Sequence, residues 1–102
     1  MGEFKTVAST DEVKPGTAIV AEVEGKTLAV FNVEGAYHVL DNTCLHRGGP
    51  LGEGDLEGDV VSCPWHGWQY NVKTGVCVAN PAAKVTVYET IVEGTDIKAR
   101  LS

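Results

Sequence analysis

Apolar and polar residues alternate in short runs along most of this chain, and this period of two predicts β-strands rather than helices. The last run is the clearest, because Ile97, Ala99 and Leu101 alternate with charged residues and predict a strand with one inward face. The other runs are rich in β-branched residues and are bounded by glycine, proline or acidic residues. The predicted strands are residues 4–8, 17–23, 27–33, 36–41, 60–62, 69–72, 76–78, 85–92 and 96–101.

The residues between these runs predict tight turns. Glu24-Gly25-Lys26 predicts a hairpin, and Ser9 or Thr10 can cap at most one helical turn before Pro15. The 102 residues are enough for a single domain, residues 1–102, that buries a modest core without disulfide bonds. The pattern therefore predicts an all-β fold, a small antiparallel barrel or sandwich.

Charge and composition exclude several classes of function. The chain has 8 basic and 14 acidic residues and a formal net charge of -6, which argues against nucleic acid and anionic membranes as partners. A basic protein partner is favoured instead. The N-terminal residues lack the pattern of a secretory signal, and no run reaches the ~20 apolar residues of a membrane span. We therefore expect a cytoplasmic protein, in which Cys77 is a buried, unpaired thiol.

Two short boxes contain two of the three cysteines and two of the three histidines: Cys44-x-His46 and Cys63-x-x-His66. Glycine and proline residues bend the chain at each box, so that one thiolate and one imidazole can face the same metal. Such a set fits either a tetrahedral structural zinc or a 2Fe-2S cluster with two histidines on one iron. Common zinc modules separate the cysteines from the histidines, whereas each box here mixes them, and this favours the cluster over zinc.

At these residues the chain resembles the Rieske iron-sulfur proteins. The resemblance implies one 2Fe-2S cluster per chain, with Cys44 and Cys63 on the buried iron and His46 and His66 on the outer iron. It covers both boxes and several neighbouring residues: Gly48, Gly49 and Pro50, His66-Gly67-Trp68, Tyr70, and Asn80-Pro81-Ala82.

The resemblance also implies an architecture. It predicts a six-stranded antiparallel β base domain with an inserted cluster-binding subdomain at about residues 42–82. The two ligand loops then meet at one tip of the domain, and the loop around Pro81 covers one side of the cluster. We therefore expect the cluster to lie near the surface.

Departures from the family pattern indicate a branch. Members from respiratory and photosynthetic membrane complexes are similar but have an extra cysteine in each box, and these two cysteines form a disulfide. This chain has Gly49 and Trp65 at those places, and it has Trp68 where those members have a serine. What remains resembles the soluble Rieske-type ferredoxins, or the related small subunit of cytoplasmic NAD(P)H nitrite reductase.

The expected function is electron transfer without catalysis on a substrate. The resemblance implies that the chain passes electrons from a flavin-dependent ferredoxin reductase to a terminal oxygenase. The sequence has no Ser-His-Asp set, no paired carboxylates in an apolar setting and no phosphate-binding loop, so no catalytic residues are expected. The nitrite reductase subunit is the alternative, and a zinc-stabilised interaction module is the third hypothesis.

Other residues have simpler interpretations. His38 has no cysteine at ligand spacing and is interpreted as a half-exposed strand residue. Trp68 is expected in the core, whereas Trp65 lies between the ligands of the second box and suits shielding or docking as well as packing. The span between the boxes is interpreted as a solvated loop that could also dock a partner. Its acidic residues are Glu53, Asp55, Glu57 and Asp59.

Overall fold

Ten short strands dominate the part of the chain that can be described, residues 4–42, 50–64 and 68–100 of the computed structural model. Two 3-10 helices of three residues, Thr10–Glu12 and Leu51–Glu53, lie after β1 and before β5. The strands are β1 (Phe4–Ser9), β2 (Ala18–Val23), β3 (Lys26–Val33), β4 (Ala36–Asp41), β5 (Asp55–Glu57), β6 (Val60–Ser62), β7 (Gln69–Asn71), β8 (Val87–Tyr88), β9 (Thr90–Glu93) and β10 (Asp96–Arg100).

These strands form three antiparallel sheets, which confirms the predicted all-β class. The terminal sheet has the order β1-β10-β9, and the central sheet has the order β2-β3-β4-β8. The inserted sheet, β5-β6-β7, is built from residues that lie between the fourth and eighth strands in sequence. The inserted sheet therefore contains the chain segment around the second ligand box.

Two tight turns connect the first three strands of the central sheet. Glu24 and Gly25 join β2 to β3 with φ angles of 52° and 80°, and Glu34 and Gly35 join β3 to β4 with 51° and 93°. Two successive positive φ angles are what a type I′ turn requires, and its twist matches that of the flanking strands. The predicted hairpin at Glu24-Gly25 is confirmed, and β4 has its predicted bounds.

The apolar core lies on both faces of β3, because four consecutive residues of that strand, Leu28 to Phe31, are apolar and buried. Phe31 faces one cluster and Val30 faces the other, and both are 0% exposed. We call the first cluster the insert core, since it joins the central sheet to the inserted sheet; its buried members are Ala29, Phe31, Val33, Leu40, Leu51, Val61, Cys63, Tyr70, Val72, Cys77 and Val85. The second, the terminal core, consists of Val7, Ala8, Val13, Leu28, Val30, Val39, Ile97 and Ala99.

The terminal sheet agrees with the predictions for both ends of the chain. Ile97 and Ala99 are buried at 0% exposure, and Leu101 lies outside the described residues. Ser9 caps the predicted single helical turn with a capping box: its Oγ accepts from the Asp11 N–H, and its own N–H donates to Glu12 Oε1 at 2.9 Å.

Three local predictions were wrong. Residues 85–92 form two strands, not one, because the chain leaves the central sheet after β8 and joins the terminal sheet as β9. Residues 76–78 form only isolated bridges, in which Val76 pairs with Lys84 and Cys77 with Tyr70. The acidic span includes a strand, β5, where the interpretation was a loop; Leu56 is half-buried between its two exposed acidic neighbours.

Candidate metal centre

Cys63 is the one predicted ligand within the described residues. Cys44, His46 and His66 lie outside them, in residues 43–49 and 65–67. Within residues 4–42, 50–64 and 68–100, no group of three or more His, Cys, Asp or Glu side chains is arranged to hold a metal ion. The two points at which the ligand loops join the fold lie within the described residues.

Asn42 closes the base of the first loop. Its main-chain carbonyl accepts a hydrogen bond from the Leu51 N–H at 2.7 Å, and its side-chain Oδ1 accepts one from the Gly52 N–H at 2.7 Å. Its own N–H donates to the carbonyl of Thr27 at 3.1 Å, and the residue is only 7% exposed. The chain thus leaves the central sheet and returns to it at a single clamped point, with the first ligand box in between.

A second hydrogen bond lies beside this clamp. The Tyr88 hydroxyl donates to Asp41 Oδ1 at 2.7 Å, which ties β8 to the last residue of β4. Burial, and then this hydrogen bond, raise the pKa of Tyr88 to about 12. The strand end that precedes Asn42 is therefore fixed by a side chain as well as by the sheet.

Cys63 lies at the base of the second loop, directly after β6. Its N–H donates to the carbonyl of Trp68 at 2.7 Å, and His66 lies in the chain between these two residues. The next pair outward is Ser62 and Gln69, which are opposite each other in the β6–β7 ladder and are joined by a side-chain hydrogen bond. The β6–β7 hairpin therefore determines where the second ligand box begins and ends.

The bases of both loops reach the same apolar cluster. Leu51, at the base of the first ligand loop, is 0% exposed. Cys63, at the base of the second, is 2% exposed, and both residues belong to the insert core. The Cys63 side chain is therefore buried rather than turned to solvent. A buried thiol at the base of one loop, with a second cysteine and two histidines in the two loops, is the donor set that a 2Fe-2S cluster with mixed ligands takes. The residues therefore fit such a cluster.

A third loop adjoins this region around Pro81. The Cys77 N–H donates to the carbonyl of Ala83 at 2.9 Å and closes the loop, while Asn80 Oδ1 accepts from the Ala82 N–H at 3.3 Å inside it. Cys77 is 1% exposed, which confirms its interpretation as a buried apolar thiol. Coverage of the cluster by this loop stays a prediction.

His38 lies on β4, half-buried, as the sequence predicted. It pairs with Phe31 across the ladder and so faces the side of the insert core. Its Nε2 is buried and has no hydrogen-bond partner among the described residues. Burial lowers the pKa of His38, the Lys73 cation lowers it further, and the Asp59 carboxylate partly opposes them. The neutral imidazole is therefore favoured.

Three carboxylates of the acidic span line one open cleft of about 790 Å³. Glu53, Asp55 and Glu57 line it together with Ser62, the residue before Cys63. Its lining also includes residues 16–18, which precede and begin β2. The cleft therefore places negative charge beside the base of the second loop, between the central and inserted sheets.

Sequence reasoning missed the residues that close the first loop. Asn42 and Gly52 carry no metal-binding group, and their contact joins positions ten residues apart. The available signal was an asparagine two residues before a candidate ligand, which is also common in ordinary turns. The core prediction for Trp68 is confirmed only in part, since this residue is half-buried and packs against the insert core; Trp65 lies outside the described residues. No described helix has the length and apolar character needed to cross a membrane.

Comparison with known proteins gives a consistent picture. The chain matches the model of the Rieske [2Fe-2S] domain over residues 3–89. It is 35% identical over 96 residues to the biphenyl dioxygenase ferredoxin subunit of Pseudomonas sp. (strain KKS102), covering 92% of this chain and 88% of that protein. It is 34% identical over 92 residues to the ferredoxin component of the naphthalene 1,2-dioxygenase system of Pseudomonas aeruginosa, with 89% and 88% covered.

A solved structure agrees over the same length. The chain superimposes with a TM-score of 0.86 and 31% identity on a chain from the complex of reduced oxygenase and oxidized ferredoxin in carbazole 1,9a-dioxygenase, covering 95% of this chain and 92% of that one. Family model, sequence and fold thus agree on the type of domain. The chain belongs to the Rieske [2Fe-2S] domain family, and its cofactor is one 2Fe-2S cluster.

Proposed function

We propose that this protein is a soluble, cytoplasmic electron carrier that passes electrons from a flavin-dependent ferredoxin reductase to a terminal oxygenase. The observation that carries the proposal is the match to ferredoxin components of dioxygenase systems over nearly the whole of both chains. A nitrite reductase small subunit is the alternative, and the named relatives favour the ferredoxin over it. The protein is an electron-carrier component rather than an enzyme.

We assign the cluster ligands as Cys44 and Cys63 on the inner iron and His46 and His66 on the outer iron. The burial of Cys63 in the insert core supports the inner position for thiolates. When bound, the cluster accepts and releases one electron at a time. The residues around it hold the two loops together, exclude water from the thiolate side and leave the histidine side for a partner.

We divide the domain into a base and a cluster-binding subdomain at about residues 42–82. The inserted sheet lies within this range and is separate from the other two sheets, which supports the boundary. The clamp at Asn42 lies at its first residue, and the hydrogen bond from Cys77 to Ala83 closes its last loop. The insert core connects the two parts, so they share one apolar interior.

We place the partner surface at the tip formed by the two ligand boxes. Leu45 and Trp65 flank the ligands in sequence and are the proposed apolar contacts. Support for an oxygenase partner comes from the related ferredoxin that was solved in complex with its oxygenase. The acidic cleft adds a surface suited to a basic partner. Redox encounters of this kind are typically small and transient.

The ligand assignment is tested by replacing the histidines one at a time. His46→Ala and His66→Ala are expected to give colourless or unstable protein, because an iron that lacks a ligand in a solvent-near loop is easily lost. His38→Ala is the matched control, since it removes the third histidine of the chain from a strand without a ligand role. Iron, acid-labile sulfide and the spin-resonance spectrum of the reduced protein are measured for each variant.

Two outcomes would contradict this assignment. Full iron, full sulfide and an unchanged spectrum in both His46→Ala and His66→Ala would show that other residues bind the cluster. Purified wild-type protein that contains zinc without iron would favour the zinc module instead. Electron transfer is tested separately, by mixing the oxidised protein with candidate flavin-dependent reductases and following the bleaching of its visible spectrum. Reduction by a nitrite reductase large subunit alone would favour the alternative.

A further inference from the structure

Asn42 is one of two buried polar residues in the described part of the chain, and the other is Asn32. Buried amides are almost always hydrogen-bonded, because an unsatisfied one loses its bonds to water without replacement. The two asparagines use their bonds differently. Asn32 braces a turn of the central sheet, whereas Asn42 binds the chain where it returns from the first ligand box.

The geometry at Asn42 fixes both the position and the direction of the returning chain. Its two carbonyl oxygens, one on the main chain and one on the side chain, accept from the successive N–H groups of Leu51 and Gly52. Its N–H to Thr27 anchors the same residue to the central sheet. One hydrogen bond would fix only a distance, but two to adjacent amides also fix the orientation of the peptide between them.

Gly52 makes this close approach possible. A Cβ at position 52 would lie 2.7 Å from Val20 Cγ2, 2.9 Å from the Ile19 carbonyl oxygen and 3.0 Å from Asn42 Oδ1. No side chain fits between these atoms without displacing one of them. The returning chain is therefore pressed against β2 on one side and held by Asn42 on the other, which leaves little freedom at the base of the loop.

We propose that Asn42 is a positioning residue for the iron-sulfur cluster. It holds the loop that carries Cys44 and His46 so that these ligands meet those of the second loop. This inference rests on the proposed ligand assignment. It concerns the first loop, whereas the base of the second loop is closed by the main-chain bond from the Cys63 N–H to the Trp68 carbonyl.

The test compares Asn42→Ala with Asn32→Ala in the cluster-loaded protein. Asn32 is a matched control: it is 2% exposed, its Nδ2 donates to the Val13 carbonyl at 2.8 Å, and its Oδ1 accepts from the Gly35 N–H at 2.7 Å. Both variants are expected to unfold at lower urea concentration, because each leaves buried groups unsatisfied. Only Asn42→Ala is expected to shift the spin-resonance spectrum and to release iron to a chelator faster, by roughly tenfold relative to Asn32→Ala.

Asn42→Asp is the conservative variant. It keeps an oxygen that can accept from the Gly52 N–H, so it is expected to retain the wild-type spectrum and a rate of iron release close to that of wild type. This variant also decides the matter if Asn42→Ala does not accumulate as folded protein. A spectrum shifted in Asn42→Asp, despite the retained acceptor, would then overturn the proposal.

Equal iron release from Asn42→Ala and Asn32→Ala, with wild-type spectra in both, would show that Asn42 only stabilises the fold. That result would overturn the inference and leave the ligand assignment intact. If the wild-type protein itself shows no Rieske spin-resonance spectrum, the proposed function is contradicted instead. The two failures are therefore distinguishable.

Discussion

At the scale of single residues, the chemical type of a side chain decides whether its role can be predicted from the sequence. Only a few side chains bind iron, so the cysteines and histidines of the two boxes stand out by their type and spacing alone. Asn42 does not stand out, because asparagine is common in turns and its role depends on a bond to a residue ten positions later. The candidate ligands are therefore apparent from the sequence, whereas the residue that closes their loop is not.

His38 shows how the burial of a titratable side chain can make the stability of a fold depend on pH. Its folded-state pKa lies below the ordinary value of 6.5, mainly because of burial and then because of Lys73, with Asp59 opposing. In the unfolded chain the imidazole takes a proton more readily. The free energy of unfolding should therefore fall as the pH drops below about 6.5, and this contribution should be absent at higher pH.

His38→Leu tests this prediction, since it removes the buried Nε2 that has no partner among the described residues. Relative to wild type, the variant should gain stability as the pH is lowered from about 8 to about 5.5, because only the wild type binds this proton on unfolding. The measurement is urea unfolding of the cluster-loaded protein at several pH values. A constant difference between the two proteins across that range would contradict the assigned direction of the pKa shift.

At the scale of elements, local patterns predict strands better than they predict sheets. Residues 85–92 have the alternation of a single strand, yet Val87–Tyr88 pairs with β4 and Thr90–Glu93 pairs with β10. An alternating pattern predicts a strand but does not indicate which sheet the strand joins. The chain changes sheets at Glu89, which lies between the two strands and whose carbonyl accepts a hydrogen bond from the Arg100 N–H at 2.9 Å.

Turns of the inserted region differ in how closely the backbone packs, and two glycines allow a matched test. Gly58 and Gly75 both have positive φ, 63° and 79°. A Cβ at Gly58 would meet nothing within 4 Å, whereas a Cβ at Gly75 would collide with the Val85 carbonyl oxygen and lie 2.8 Å from Val87 Cγ2. The two substitutions to alanine therefore share the backbone strain and differ in the steric clash.

Gly58→Ala should lower the free energy of unfolding by about 1–2 kcal/mol, the usual cost of a left-handed conformation for a residue with a Cβ. Gly75→Ala should cost more by about 1–3 kcal/mol, because the turn must also move away from Val85. Urea unfolding of both variants measures the difference. Equal losses would mean that the turn at Gly75 relaxes freely and that the close contact with Val85 has little energetic weight.

At the scale of the whole molecule, β3 explains why the inserted region and the base form one unit. Its Ala29 and Phe31 face the insert core, while Leu28 and Val30 face the terminal core. A run of consecutive apolar residues, here Leu28 to Phe31, is typical of a strand buried on both faces, so this arrangement could be predicted from the sequence pattern. The three-sheet layout could not, because it depends on contacts between residues distant in sequence.

The distribution of charge is also a property of the whole molecule. The net charge is -6, and Glu53, Asp55 and Glu57 line one cleft beside the second ligand box. Exposed charges act over about one Debye length, ~8 Å at physiological salt, so they guide the approach of a basic partner more than they fix the final contact. Replacing Glu53 and Asp55 by lysine should therefore slow second-order reduction by the reductase at low salt.

The rate of this double variant should converge with that of wild type as salt is added, because screening removes the steering. Asp11→Lys with Asp96→Lys is the matched control: both residues are exposed, they lie outside the cleft, and the change in net charge is the same. If position matters, the control should remain close to wild type at low salt. If both double variants slow reduction equally, net charge alone governs the encounter, and if neither does, the cleft has no part in docking the reductase.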